Sequence, residues 1–183
     1  MKTWIALLRG INVGGSRILP MKDLVVTLES AGFDSVRTYI QSGNVVFRAA
    51  SGTARSIGTR IAQLIGKRFG LEVPVMVLSD AELADAISNN PFPKAISEPA
   101  SLHLCFLAAV PVNPDLASLT KLKTAREAFV LRGQVFYLHV PDGAGNSKLA
   151  AKVERALGVD TTARNWRTVN QLLEMCDEVS ARS

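Results

Sequence analysis

The feature that most constrains this chain is an order of elements that its hydrophobic pattern runs through twice. A continuous apolar run at residues 4–8 reads as a strand over 4–9 that ends on Arg9. A glycine-rich loop follows, then a helix with Pro20 in its first turn and Met21, Leu24, Val25 and Leu28 on one face. "VRTYIQ" and "NVVF" are two strands joined at Ser42 and Gly43, where glycine supplies the positive φ of a tight hairpin. A second helix turns Ile57, Ile61, Leu64, Ile65 and Phe69 inward, stops at Gly70 and hands over to the strand "VPVMVL". The order βαββαβ predicts a ferredoxin-like half, with two helices on one face of a four-stranded antiparallel sheet.

After a helix opened by the capping box Ser79 to Glu82, and the breaker "NNPFP", the order returns. "SLHLCFL" is the first strand, residues 114–120 a short helix, and "AREAFVL" with "QVFYLHV" a hairpin. A helix from Ser147 to Leu157 and a strand at 159–163 complete the unit, and a last helix opens at a capping box from Thr168 to Gln171. The fold class expected is α+β, a tandem repeat of two ferredoxin-like halves plus a C-terminal helix. The expected divisions are residues 1–79, a helix and linker at 80–101, and 102–183.

At 183 residues and 48% hydrophobic content the chain has ample core for two such halves. The opening "MKTWIALLRG" is cut short by Arg9 and has no signal-peptide cleavage pattern, and no segment approaches a membrane span, so the expectation is a cytoplasmic protein with no membrane partner. Cys105 and Cys176 are too few for a disulfide framework and lack zinc spacing; no metal site is expected and no cofactor is assigned. Net charge is +5, and its excess lies in residues 1–79, with ten Lys/Arg against four Asp/Glu. Arg55, Arg60, Lys67 and Arg68 share one helix, which reads either as a phosphate-tracking row for nucleic acid or as a solvated face.

"LLRGINVGG", "ILPMKDL", "TYIQSGNVVF", "NPFP", "SKL" and "ARNWRTVNQLL" occur in this order. Together they resemble the DUF1697 family of bacterial proteins of unknown function across nearly the whole chain, although the loop reads "DGAGNSKL" where the family form is "GRSKL". The resemblance implies a compact two-half α+β protein. It carries no activity and no catalytic residue to transfer.

Chemistry must therefore come from the motifs. The loop from Gly10 to Arg17 has the glycine spacing of a P-loop, but Gly15, Ser16 and Arg17 stand where Gly-Lys-Ser/Thr belongs. What remains is a candidate anion cradle: Arg9 at the strand end, with Asn12, Gly14 and Gly15 letting backbone N–H groups approach a ligand. The alternative is that these glycines only solve a backbone problem. In "QSGN", Gln41 and Asn44 present amide groups, or serve the turn. In "PDGAGNSKL", Ser147 or Asn146 caps a helix and Lys148 sits in its first turn, an unfavourable place for a cation unless an anion is near. In "RNWR", Arg164, Asn165 and Trp166 precede a helix N-terminus, a set suited to phosphate and a stacked base, or a tryptophan packed with an arginine against it.

These residue types favour binding over acid–base catalysis, since apart from Asp142 the loops hold no carboxylate and neither His103 nor His139 has a partner at catalytic spacing. In this order the first and third strands of each half are expected to run parallel, so the opening loop and "QSGN" lie at opposite ends of their sheet, as do "GAGNSK" and "RNWR", and a composite site has to bridge the halves. Three functions remain in view. They are a binder of a phosphorylated or anionic small ligand at a cleft between halves, a nucleic-acid binder working through the basic first half, and a protein-interaction module with Trp166 fully buried.

Overall fold

The structure is a computed structural model, and it describes residues 1–15 and 17–181. Ser16, part of the opening-loop motif, lies outside the described residues. The chain forms two compact units, Met1–Ala84 with Gln171–Ser183, and Asp85–Asn170.

In the first unit, β1 (Lys2–Leu8), β2 (Asp34–Tyr39), β3 (Asn44–Ala49) and β4 (Val75–Ser79) form an antiparallel sheet of order β2-β3-β1-β4. The register sets Trp4 beside Phe47 and Ser79, and Leu7 beside Asn44 and Met76. Because side chains alternate along a strand, Trp4, Ala6 and Leu8 share one face with Val45 and Phe47. They pack with Leu24 and Leu28 of α1 (Met21–Ser30) and Ile57, Ile61 and Ile65 of α2 (Ala54–Phe69). Thr53 and Ser56 close a reciprocal capping box at the start of α2, and Gly70, at φ +67°, ends it. Pro20 does not lie inside α1. It is the extended residue just before it, at φ −64° and ψ 118°, so the first helical residue is Met21.

The opposite sheet face is buried as well, with Ile5, Leu7 and Val46 fully covered. Thr3 Oγ1 lies 2.8 Å from Ser180 Oγ, and Arg37 pairs with Glu178, both partners being on α6 (Trp166–Ala181). The last turns of α6 therefore group with the first unit, where the sequence placed them in the second.

In the second unit, β5 (Leu102–Leu107), β6 (Ala128–Arg132), β7 (Val135–His139) and β8 (Thr161–Asn165) form a sheet of order β6-β7-β5-β8, again antiparallel. Cys105, Leu107, Phe136 and Leu138 pack with Leu119 of α4 (Leu116–Leu122) and with Leu149, Val153 and Leu157. The end of α3 (Asp80–Ser88) groups here, and Tyr137 donates its hydroxyl hydrogen to the Ala86 carbonyl at 2.8 Å. The expected helix from Ser147 to Leu157 is three pieces: 3-10 turns at Ala144–Asn146 and Ala150–Lys152, then α5 (Val153–Leu157). Asn146 donates to the Asp142 carbonyl and Ser147 Oγ accepts from the Ala150 N–H, local bonds that compete with a continuous helix.

Grouping by unit redistributes the charge. The first unit carries eleven Lys/Arg against nine Asp/Glu and the second ten against seven, balances of +2 and +3. The basic excess of residues 1–79 is reduced equally by Asp80 and Glu82 at the start of α3 and by the acidic C-terminal residues 171–183. Within the basic row of α2, Arg60 is folded back, its guanidinium 4.7 Å from the centre of the Phe33 ring and donating to the Ala31 carbonyl.

Candidate functional site

β1 and β3 pair antiparallel, with Leu7 opposite Asn44, so the end of β1 lies beside the start of β3. The parallel arrangement expected from sequence is overturned, and with it the separation of the two motifs. The chain runs up β1, back through α1, up β2 and down β3, so the opening loop and the β2–β3 hairpin share one end of the sheet.

The Asn12 side chain joins them. Its Nδ2 donates to the Leu19 carbonyl at 3.0 Å and to the Gln41 carbonyl at 2.8 Å, while Oδ1 accepts from the Leu19 N–H at 2.8 Å. Both donors of the carboxamide are committed to backbone, so Asn12 sets the loop's shape. Beneath it, the Leu8 N–H donates to the Gly43 carbonyl at 2.7 Å and the Arg9 N–H to the Pro74 carbonyl at 3.1 Å. Gly43 is indispensable to this packing: at φ +76°, a Cβ there would lie 2.6 Å from Leu8 Cβ and 3.0 Å from Ile11 Cδ1. Asn44 is buried and donates from Nδ2 to the Tyr39 carbonyl at 3.2 Å and to Ser42 Oγ at 2.9 Å, which holds the turn. The Gln41 side chain is exposed.

Within the loop, Gly10, Asn12, Gly14, Gly15 and Arg17 all have positive φ. Left-handed residues are one component of the backbone turns whose N–H groups form anion-binding nests. Among the described residues nothing beyond the chain neighbours stands within 4 Å of where a Cβ would be on Gly14 or Gly15. Arg9 is half-buried and Arg17 exposed, with Arg17 Nη1 3.4 Å from the Cβ position of Gly10. No carboxylate occurs from Arg9 to Lys22. Three β-branched residues of the loop and hairpin are exposed: Val13 66%, Ile18 68% and Ile40 53%. Ile40 has φ +49°, a left-handed conformation that costs a branched residue about 1–2 kcal/mol.

In the second unit the antiparallel ladders place His139 of β7 beside Leu102, and Asn165 of β8 beside His103, so "GAGNSK" and "RNWR" also leave the sheet at one end. Their side chains are nevertheless dispersed. β8 extends to Asn165, so Arg164 and Asn165 are strand residues rather than loop residues, and alternation sends them to opposite faces. Asn165 Oδ1 accepts from the Thr168 N–H at 2.9 Å, which makes Asn165, and not Thr168, the cap of α6. Arg164 donates to the Ala163 carbonyl at 2.9 Å, and burial pushes its pKa down to about 10. Trp166, the first residue of α6, is half-buried. Ser147 is buried and caps the 3-10 turn at Ala150, whereas Lys148 is exposed. Glu127, also buried, accepts from the Thr124 N–H at 2.8 Å. Burial would raise its pKa, but hydrogen bonds from Ser147 and Thr124 and the charge of Lys123 hold it below the ordinary value. His103 is pushed down by burial, with the Ser101 backbone opposing. Among the described residues no cluster of three or more His, Cys, Asp or Glu could hold a metal ion, and no helix is long and apolar enough to cross a membrane.

A family model described as a protein of unknown function, DUF1697, matches residues 1–137. The chain belongs to the DUF1697 family. The match takes in the opening loop and the hairpin that Asn12 ties together, and it ends before "SKL" and "ARNWRTVNQLL", which the sequence reading had included. No curated protein matches the chain significantly. Among solved structures, one titled as the structure of conserved bacterial protein SP0830 from Streptococcus pneumoniae is similar at TM-score 0.74 and 21% identity, covering 96% of this chain and 98% of that one. That likeness extends the α+β fold with its two antiparallel sheets to a second protein.

Arg17, Val13, Ile18 and Ile40 are residues of the loop and hairpin of this DUF1697 protein that the sequence reading did not single out as candidates. Arg17 was legible as the cation closing the glycine run. Ile40 carried no signal, because nothing local marks a branched residue for a left-handed turn position.

Proposed function

We propose that this protein binds a phosphorylated or otherwise anionic small ligand at the sheet end where the opening loop meets the β2–β3 hairpin. The observation that carries this reading is the Asn12 bridge to Leu19 and Gln41, which fixes a glycine-rich, left-handed backbone beside Arg9 and Arg17. A preorganised loop loses little entropy on binding, and its N–H groups complement charge that the two guanidinium groups attract. On this reading each unit is a ferredoxin-like half of a tandem repeat, which the shared strand order of the two sheets supports. A cytoplasmic setting fits two buried, unpaired thiols, Cys105 and Cys176.

Isothermal titration of inorganic phosphate, sugar phosphates and nucleotides tests the reading. Arg9→Gln and Arg17→Gln are each expected to weaken the best ligand by about tenfold, the loss of one charge-assisted hydrogen bond. Undiminished affinity in both variants removes the site.

A further inference from the structure

The charge of the first unit is divided unequally between its two ends. At one end β1 stops, the β2–β3 hairpin turns and β4 starts, since Leu7 lies opposite both Asn44 and Met76. α1 starts there too, because Leu19, two residues before it, is bonded to Asn12, and Asn12 to Gln41 of the hairpin. α2 stops there, for Gly70 ends it and Pro74, just before β4, accepts from the Arg9 N–H. The segments that meet at this end, residues 9–24, 40–43 and 66–74, carry Arg9, Arg17, Lys22, Lys67 and Arg68 against two carboxylates, Asp23 and Glu72. Arg9 is half-buried and the other four cations are exposed. Among the described residues, none of Lys22, Lys67 and Arg68 enters an ion pair. At the opposite end, residues 1–2, 27–34, 48–57 and 79–83 carry three cations and four carboxylates, and Arg48 lies 3.7 Å from Asp34.

Lys67 and Arg68 suit the last turn of α2, where a cation complements the helix dipole, but Lys22 stands in the first turn of α1, where a cation opposes it. Cations contributed by a strand end, a loop and two helices are more than one phosphate can engage, for the sheet alone is about 14 Å wide at about 4.8 Å per strand. An extended polyanion meets them all. The same segments hold a single aromatic residue, Phe69, and it packs against the core, so they offer no platform for stacked bases. We infer that this end of the first unit binds the phosphodiester backbone of nucleic acid without regard to sequence, its phosphates lying across Arg9, Arg17, Lys22, Lys67 and Arg68. Phosphate contacts fix position and carry no sequence information. The inference shares Arg9 and Arg17 with the anion-binding reading above and extends it from one phosphate to several. It also moves the nucleic-acid contact from the length of α2 to its end: Arg55 belongs to the opposite end, and Arg60 is folded onto Phe33.

The test is fluorescence anisotropy of a labelled mixed-sequence DNA duplex, and of a single strand of the same length, titrated with the full chain at several salt concentrations, beside calorimetric titration of inorganic phosphate. Engagement of all five cations makes affinity fall about a hundred- to five-hundredfold between about 50 and 200 mM salt, and a second sequence behaves alike. Lys22→Gln, Lys67→Gln and Arg68→Gln should each reduce the log–log salt slope by about 0.7–0.9 and leave the affinity for inorganic phosphate unchanged. Arg55→Gln, at the other end of α2, should leave the slope intact. The form bound more tightly, duplex or single strand, identifies which backbone the surface fits. Slopes unmoved by the three substitutions, or equal losses at Arg55 and Arg68, overturn the assignment to this end. Inorganic phosphate bound, with neither nucleic acid bound at the lowest salt, overturns the polyanion surface and leaves the anion-binding reading standing. Nucleic acid bound without inorganic phosphate does the reverse, and absence of all binding overturns both.

Discussion

The two units leave their first strand in the same way and then do different things. The Leu8 N–H donates to the Gly43 carbonyl at 2.7 Å and the Arg9 N–H to Pro74 at 3.1 Å; in the second unit the Leu107 N–H donates to the Gln134 carbonyl at 2.9 Å and the Ala108 N–H to Asp160 at 3.0 Å. From these matched points the first unit continues "RGINVGGSRILP" and the second "AAVPVNPD". Both loops expose apolar residues, Val13 and Ile18 in one and Val110 and Val112 in the other. Only the first has glycines, arginines and an asparagine tying it to the hairpin. The second loop shows that the equivalent strand order, β6-β7-β5-β8, can be connected without any of these, so the fold does not demand them. That internal control is the strongest ground for assigning the first loop a task beyond connection.

Substitution at matched positions can break this contrast. Gly43→Ala combines left-handed strain with overlap on Leu8 and Ile11 and should destabilise by about 2–4 kcal/mol in urea unfolding. Gly133→Ala at the other hairpin, where a Cβ would meet nothing within 4 Å, should cost about 1 kcal/mol. Equal costs would mean that the loop does not pack on its hairpin as described. Asn12→Ala strands the Leu19 N–H and two carbonyls and is expected to cost about 2–3 kcal/mol, against less than about 1 kcal/mol for Asn113→Ala, whose residue shares the positive φ. A further contrast lies in pH. Glu127 has a folded-state pKa below its unfolded value, so its contribution is present above the unfolded pKa and is lost as pH falls through the folded one. Glu127→Gln should therefore flatten the acid side of the stability profile, and an unchanged profile would discount the Ser147–Glu127 contact. The smallest effect is expected from Ile40→Asn, a gain of about 0.5–1 kcal/mol from relief of backbone strain, read as a higher urea midpoint.

Much of this was legible in the chain. Helix starts with reciprocal caps, such as Ser79 with Glu82, and stops such as Gly70 are local statements, and the structure keeps them. What failed was non-local. The relative direction of β1 and β3 is decided by backbone pairing across the sheet, and misjudging it separated two motifs that Asn12 joins. The pairing of the end of α6 with Thr3 and Arg37 is likewise made across more than a hundred residues, with no motif to announce it. At "RNWR" the competition was subtler: Asn165 and Thr168 are both good caps, and the strand pairing of Asn165 with His103 decides which one α6 uses.

The most direct test of the central claim is a two-dimensional amide NMR titration with inorganic phosphate. The account expects saturable shifts at the amides of Gly10, Gly14, Gly15 and Arg17, with Gln41 following, and silence across residues 108–115. Shifts of equal size in both loops, or none in the first at saturating ligand, would contradict it.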